Sequence, residues 1–366
     1  MEGVISIVLI IYSLLLTYYH RSLRKLFKSH KNELFGDVTI DVVVAYRNES
    51  ANLPHLLTDL GNLNTAGIVL KVYLVNDHST DTGAAIVEEF RAQGNIDIHP
   101  FHLHNEIGKK AAISAVLDEL SSEWILFTDA DCRLDKGWLQ SYRAQIDNEV
   151  QCILGAVRLT DGNSLFGRFQ QLEFMSLQAA TAASCLAQNP IMCNGANWMV
   201  RRSSYLALRE NIKKEIASGD DMFILQALKR QNARQIRYNI GLSSLVETKV
   251  VNSFGVFWAQ RNRWTTKSKY YTDPTTIAIS LLVVFANIAF VLSFWYVSNE
   301  IGLLWFILAK LASEYLVLQR YAKFSGEKLL LKEFPLLALC YPFYIILIVG
   351  SSIFAKFQWK DRSYQA

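Results

Sequence analysis

Hydrophobic positions fall along this chain in three rhythms. Val4 to Tyr19 is an almost unbroken aliphatic run, about as long as a bilayer's hydrocarbon core is thick, and His20-Arg21-Ser22-Leu23-Arg24-Lys25 follows at once. The run predicts a transmembrane anchor over residues 1–20 with its basic flank in the cytoplasm. A signal peptide would carry its charge before the apolar run and a small-residue cleavage site after it, so a retained anchor is the better reading. From Asp37 to about Asn163 the rhythm changes to short β-branched runs, Val38 to Tyr46, Val69 to Val75, Trp124 to Thr128 and Cys152 to Val157, separated by stretches of helical period. That alternation predicts an α/β domain spanning 37–250, with a mixed, mainly parallel sheet flanked by helices.

Amphipathic helices come next. Phe166 to Leu186 spaces Phe166, Phe169, Leu172 and Met175 along one face, and a second such stretch, over 251–273, contains Trp264. Either can lie flat on a membrane or pack on its own domain. The third rhythm is apolar again: Thr275 to Ser298, Leu303 to Leu318 and Phe334 to Phe354 predict about three transmembrane or interfacial helices within 275–356, followed by a tail over 357–366. Lys310 and Glu314 stand four apart inside the middle segment, on one helical face, where mutual pairing relieves the cost of burying either charge. Four full crossings would leave the basic tail Lys356 to Arg362 outside, against the positive-inside bias; Pro335 and Pro342 make a broken last helix the alternative.

Composition agrees with a mixed architecture: 51% of the 366 residues are hydrophobic and 19% charged. A net charge of +4, concentrated near the apolar segments, fits a membrane surface and gives no basic stripe for nucleic acid. The five cysteines, Cys132, Cys152, Cys185, Cys193 and Cys340, form no CxxC pair and read as reduced thiols in a cytosol-facing domain. His99, His102 and His104 resemble a metal cluster, but alternation along a strand accounts for them more simply.

Ligands of such sheets bind beyond the carboxyl ends of the strands, so the residues after each run carry the chemistry. The Trp124 to Thr128 run leads into Asp129-Ala130-Asp131, whose two carboxylates fall on one side of the strand end and suit Mg²⁺ or Mn²⁺. Asp77, after Val75-Asn76, leaves the sheet at the same edge. Its carboxylate can accept hydrogen bonds from a nucleobase or ribose, and Ser79 or Asp81 can cap the next helix. Ala45-Tyr46-Arg47-Asn48-Glu49 ends the first strand with an aromatic face and polar groups. Gly108-Lys109-Lys110 opens a helix where a cation and free N–H groups meet, a place for a diphosphate that is not a Walker motif. Asp220-Asp221 precedes an apolar helix, where one carboxylate can cap and the other act as general base. Gln260-Arg261-Asn262-Arg263-Trp264 gathers an amide, two guanidinium groups and an indole.

In this order the motifs resemble those of family-2 glycosyltransferases, the inverting group that includes cellulose and hyaluronan synthases and ceramide glucosyltransferase. The resemblance covers roughly Val38 to Trp264 and implies a GT-A-like fold. It implies that Asp77 holds the nucleoside in a pocket lined by Ala45, Tyr46 and Glu49, and that Lys109 approaches the donor. Asp131 would be the principal metal ligand, with Asp129 beside it. Asp221, next to Asp220, would be the catalytic base; Gln260, Arg263 and Trp264 would bind the diphosphate and shape the acceptor site. Asn194-Gly195-Ala196-Asn197 resembles the segment near the transferred sugar. The expected function is transfer of a sugar from a nucleotide-sugar, a UDP-sugar by resemblance, to a membrane lipid or lipid-linked glycan by a protein of a bacterial inner membrane with its catalytic domain in the cytoplasm. A processive polysaccharide synthase is the alternative. A haloacid-dehalogenase-type phosphatase shares the Asp-x-Asp but not the Cys132-Arg133 that follows it here, and it leaves the Gln-x-x-Arg-Trp cluster unexplained; a membrane receptor that only binds nucleotide-sugars is the non-enzymatic rival.

Overall fold

The computed structural model describes residues 1–28, 36–212, 219–298, 300–329, 333–354, 357–359 and 362–364. The chain divides into two units: a helical one built from 1–27, 161–191 and 250–366, and an α/β one built from 28–160 and 192–249. The first helix, α1 (Glu2–Ser22), belongs to the helical unit.

The α/β unit alternates β1 (Val38–Tyr46), α2 (Leu53–Gly61), β2 (Ile68–Asn76), α3 (Gly83–Ala92), β3 (Ile98–His102), α4 (Lys109–Val116), β4 (Trp124–Thr128) and α5 (Trp138–Arg143). It continues with β5 (Cys152–Leu154) and β6 (Val157–Thr160) and resumes after the helical insertion with β7 (Asn197–Arg201), α7 (Arg202–Leu208), α8 (Asp220–Asn232), β8 (Ile236–Tyr238) and β9 (Val246–Lys249). Seven strands form one sheet in the order β3-β2-β1-β4-β7-β5-β8. β3, β2, β1 and β4 run parallel, β7 is antiparallel to both its neighbours, and β5 and β8 are parallel. β1 lies between β2 and β4, which pair with both its edges, and the successive residues Val42, Val43 and Val44, which point to alternate faces, are all buried; both faces are covered, so the run is continuously apolar instead of alternating. Its one charge, Asp41, is fully buried and accepts hydrogen bonds from the amides of Ser121 and Ser122, each at 2.9 Å, and from the Ser122 hydroxyl at 2.7 Å.

The strand expected over Cys152 to Val157 is two strands in different sheets: β5 joins the large sheet, while β6 pairs in parallel with β9. Gly155 lies at the break. A Cβ there would come within 2.3 Å of the Tyr142 hydroxyl and 2.4 Å of Asn197 Nδ2. The three histidines do separate work. His99 stacks on Tyr73 with ring centroids 4.9 Å apart, His102 meets Asn76 at 3.2 Å, and the His104 carbonyl faces His78 Nε2 at 3.2 Å.

The helical unit holds α6 (Leu165–Leu186), α9 (Phe254–Thr266), α10 (Pro274–Tyr296), α11 (Leu303–Ser325) and α12 (Phe334–Phe354) with α1. Ser164 caps α6 by accepting from the Gly167 amide, and Asp273 caps α10, with Pro274 in the first turn. Ile5 and Leu9 of α1 pack with Ala289 and Phe290 of α10 and Leu303 and Ile307 of α11. Lys310 and Glu314 pair at 2.6 Å, as their spacing predicts, and the Tyr12 hydroxyl donates to Glu314 at 3.0 Å. Among the described residues, Glu2–Phe27 and Pro274–Tyr296 are long and apolar enough to cross a membrane, by length and composition. α11 carries Lys310, Glu314, Arg320 and Lys323, and α12 holds Pro342 in its interior, with a shorter apolar stretch over Leu337–Ser352. The short strands β10 (Phe357–Trp359) and β11 (Arg362–Tyr364) end the description; Lys356, Lys360 and Asp361 of the expected basic tail lie outside the described residues.

Candidate active site

The parallel strands deliver their last residues to one edge of the sheet. β1 and β2 are in register to their ends, Ala45 opposite Val75 and Tyr46 opposite Asn76, so the loops that follow start side by side. Asn48 and His78 take left-handed backbone, φ 54° and 55°, and the loops interlock. Arg47 donates to the carbonyls of Asp77 and His78 at 3.0 and 3.1 Å, and the Thr80 amide donates to Asn48 at 2.8 Å.

The expected binding residues differ in what they present. Asp77 is 1% exposed; one carboxylate oxygen meets His78 Nδ1 at 3.1 Å and the other accepts from the Gly108 amide at 3.0 Å. Its visible task is to brace the turn that opens α4, where Gly108 has φ 99°, a conformation that suits glycine. Tyr46 departs from expectation more fully. The ring is 2% exposed and turned toward Gly83 at the start of α3, so it offers no face to a nucleoside, and burial with Asp81 and Glu88 nearby pushes its hydroxyl up to about 12. Ala45 is half-buried, and Glu49 accepts from Asn52 at 2.7 Å.

Further along the edge the charged groups converge. Lys109, the first residue of α4, reaches Asp129 Oδ1 at 2.5 Å and the Gly195 carbonyl at 3.2 Å. Burial alone would pull its ammonium down, but Asp129, Asp220 and Asp221 together hold it above its ordinary value. A Cβ on Gly195 would stand 3.3 Å from Asp221 Oδ2 and 3.4 Å from Lys109 Nζ, so this glycine lets backbone, base candidate and cation meet. Asp220 and Asp221 are 5% and 6% exposed and open α8, where the helix N-terminus favours negative charge.

Asp131 stands where Thr248 of β9 donates to it at 3.0 Å. The residue faces solvent, yet the protein atoms around its carboxyl, together with Asp129 and Glu49, push that carboxyl up to about 6, a shift moderated by contact with water. Cys132 is buried, and its thiol is pushed well up by burial and by Asp131 and Asp129, which keeps it neutral. Asp129 and Asp131 are hard oxygen donors in surplus over local cations, which suits a divalent ion. No group of three or more His, Cys, Asp and Glu forms a closed metal site among the described residues, so the remaining ligands of such an ion would be water or substrate oxygens.

Within the sugar-pocket segment, Asn194 Oδ1 accepts from the Ala196 amide at 3.0 Å and shapes the turn that presents Gly195. Asn197 is a correction: it is fully buried and its side chain is spent inside the fold. Its oxygen accepts from Trp138 Nε1 at 3.0 Å and the Tyr142 hydroxyl at 2.7 Å, and its nitrogen donates to the carbonyls of Ala156 at 2.6 Å and Ser244 at 2.7 Å.

Gln260, Arg263 and Trp264 lie on α9 of the helical unit and are half-buried there. Sequence reasoning missed what holds them. Arg261, 2% exposed, forms an ion pair with Glu173 of α6 at 2.7 Å, donates to Gln260 Oε1, and lies 4.3 Å above the Trp264 ring. Tyr344 of α12 donates to the same Glu173 at 3.2 Å. Glu173 sits among apolar helix positions with nothing nearby in sequence to mark it. Thr248, the partner of Asp131, was equally unmarked.

Residues 41–209 match the profile of Glycosyl transferase family 2. No curated protein matches the chain. Among solved structures, the mannosyltransferase PcManGT from Pyrobaculum calidifontis, in complex with GDP-Man and Mn²⁺, is 16% identical with a TM-score of 0.60, covering 96% of this chain and 99% of its own. TarS 1–349 of S. aureus with UDP is 17% identical, TM-score 0.45, over 90% of this chain and 96% of its own. Glucosyl-3-phosphoglycerate synthase from Mycobacterium tuberculosis, with Mn²⁺, UDP-glucose and phosphoglyceric acid, is 14% identical, TM-score 0.45, over 65% and 82%. Residues 41–209 are therefore similar to the glycosyltransferase family 2 domain, and the chain has a GT-A-like α/β fold with a mixed, mostly parallel sheet flanked by helices.

Proposed function

We propose that this protein is a membrane-bound inverting glycosyltransferase that moves a sugar from a nucleotide-sugar to a lipid or lipid-linked acceptor. The observation that carries the reading is the meeting of Lys109, Asp129 and Asp221 around Gly195 at the carboxyl edge of the sheet, with Asp131 beside them. Asp131 and Asp129 are the residues to hold Mg²⁺ or Mn²⁺, which would neutralise the departing diphosphate. Lys109, now paired with Asp129, adds a second positive charge for the same leaving group. Asp221 removes the proton from the acceptor hydroxyl, which then attacks the anomeric carbon from the face opposite the diphosphate, inverting it with no covalent intermediate. Asp77 acts by bracing Gly108, and so Lys109, more than by direct contact.

The membrane assignment rests on the faces of the helical unit. Val4, Ile7, Ile11 and Leu14 of α1, Leu281, Phe285 and Trp295 of α10, Leu304, Trp305 and Leu308 of α11, and Leu339, Phe343 and Leu347 of α12 are all exposed, while Lys310 is 1% exposed. Apolar outside and ionic inside is the arrangement lipid favours. The cytoplasm of a bacterial cell is the proposed location of the α/β unit, with the basic end of α1 on the same side. A processive polysaccharide synthase is the alternative end use of the same chemistry.

The purified protein, supplied with Mn²⁺, membrane lipid and a panel of UDP- and GDP-sugars, is expected to release the nucleoside diphosphate from one of them and yield a glycosylated lipid of inverted anomeric configuration. Retention of configuration would overturn the mechanism. Because a proton competes for Asp131 with its carboxyl near 6, Mn²⁺ affinity is expected to rise between pH 5 and 7 and then level off. Titration calorimetry giving the same affinity at pH 5 and pH 7 would remove Asp131 from the ligand set.

A further inference from the structure

The helical unit has an unexplained cavity of about 430 Å³, within the size range of ligand sites, lined by His20, Arg24, Phe27, Gln319, Arg320 and Lys323. The last turn of α1 and the short 3₁₀ helix after it, Leu23–Phe27, form one wall, and the C-terminal turns of α11 form the other. The walls are joined by backbone acceptors: Arg320 donates to the His20 carbonyl at 2.9 Å, and His20 Nδ1 meets the Leu316 carbonyl at 3.0 Å. Neither contact neutralises a charge. Among the described residues, no carboxylate pairs with Arg24, Arg320 or Lys323, although ion pairs elsewhere in the chain are plentiful. Arg24, Arg320 and Lys323 repel one another around this concavity, and an anion between them relieves that repulsion.

From this geometry we infer a binding site for a phosphate-bearing anion. Arg24 and Arg320 supply planar guanidinium forks suited to phosphate oxygens, Lys323 a point charge, and Gln319 an amide donor. Phe27 is 57% exposed beside them, an apolar contact that a bare inorganic ion would not use and a phospholipid headgroup with its glycerol would. The shared chemistry is a phosphate mono- or diester, and an anionic headgroup and free phosphate are its two sources. None of these residues belongs to the catalytic set, so the site stands or falls independently of the proposed reaction.

The full-length protein in a neutral detergent is titrated with short-chain phosphatidylglycerol, with inorganic phosphate, and with short-chain phosphatidylcholine as control, and the melting temperature is followed. A ligand that binds only the folded state raises it with concentration. The expected result is a saturable rise with phosphatidylglycerol, phosphate or both, and none with phosphatidylcholine. A rise with both ligands points to the phosphate itself, and a rise with the lipid alone to the headgroup. Arg24→Gln and Arg320→Gln are each expected to weaken binding about fivefold, the effect of one basic residue near an anionic headgroup. Arg21→Gln removes the same charge from an exposed α1 position that does not line the cavity, and is expected to leave affinity unchanged. No saturable rise with either anion, or equal weakening by Arg21→Gln and Arg24→Gln, would overturn the inference in favour of diffuse surface attraction.

Discussion

Replacing Asp221 with Asn is expected to lower turnover by about 10²- to 10⁴-fold, the usual contribution of a positioned general base. The substitution keeps the shape that packs beside Gly195 and at the head of α8, so the fold and the donor's KM should change little. The asymmetry follows from the roles proposed: the diphosphate would be held by Lys109 and by the divalent ion that Asp129 and Asp131 would carry, whereas the acceptor proton has Asp221 as its destination. Steady-state measurement of nucleoside diphosphate release, varying donor and acceptor separately, makes the distinction. Turnover that persists in Asp221→Asn and vanishes in Asp220→Asn would transfer the role to the neighbouring carboxylate, which is equally buried.

The second large effect is on stability. Asn197→Ala strands the Trp138 indole N–H, the Tyr142 hydroxyl and the Ser244 carbonyl in a fully buried place, while the Ala156 carbonyl keeps the Val246 amide as donor. Each orphaned group costs about 1–3 kcal/mol, so a total loss of about 3 kcal/mol or more is expected, a large part of a domain's whole stability. The melting temperature should fall by about 10 °C. Gly155→Ala should act in the same direction, because its methyl would collide with the same hydroxyl and amide. A change of less than about 2 °C in Asn197→Ala would show that water can satisfy the cluster.

Asn197 also shows where sequence reading reaches its limit. It belongs to a glycine-containing segment that looks like substrate-binding sequence, and Gly195, two residues earlier, does stand beside Asp221 and Lys109. Strand alternation turns the Asn197 side chain inward, and only the arrival of Trp138, Tyr142, Ala156 and Ser244 from other parts of the chain reveals its work. The parallel half of the sheet was legible because covered strands read as unbroken β-branched runs: Val38–Tyr46 and Trp124–Thr128 occur as expected, and the acidic pair follows the latter directly. β7, β8 and β9 were not legible: these short strands are interrupted by Asn197 and Arg201, by Arg237, and by Glu247 and Lys249, and present no unbroken apolar run like that of β4. Tyr46 was read as a ligand platform because nothing local reveals that its ring turns toward Gly83. The Arg-Trp cluster on α9 was legible as a cluster, but its anchor Glu173 lies 88 residues away.

That separation bears on how the protein is made. At roughly 5–20 residues per second, a ribosome that has finished Glu173 needs about 4–18 seconds to reach Arg261, and in that interval it must build β7, α8, β8 and β9, which belong to the other unit. Until then the Glu173 carboxylate lacks its guanidinium partner, and a nascent chain stalled before residue 261 carries α6 with an uncompensated charge on the face meant for burial. The order of synthesis thus leaves the helical unit to close late, after the inserted α/β segment has been made.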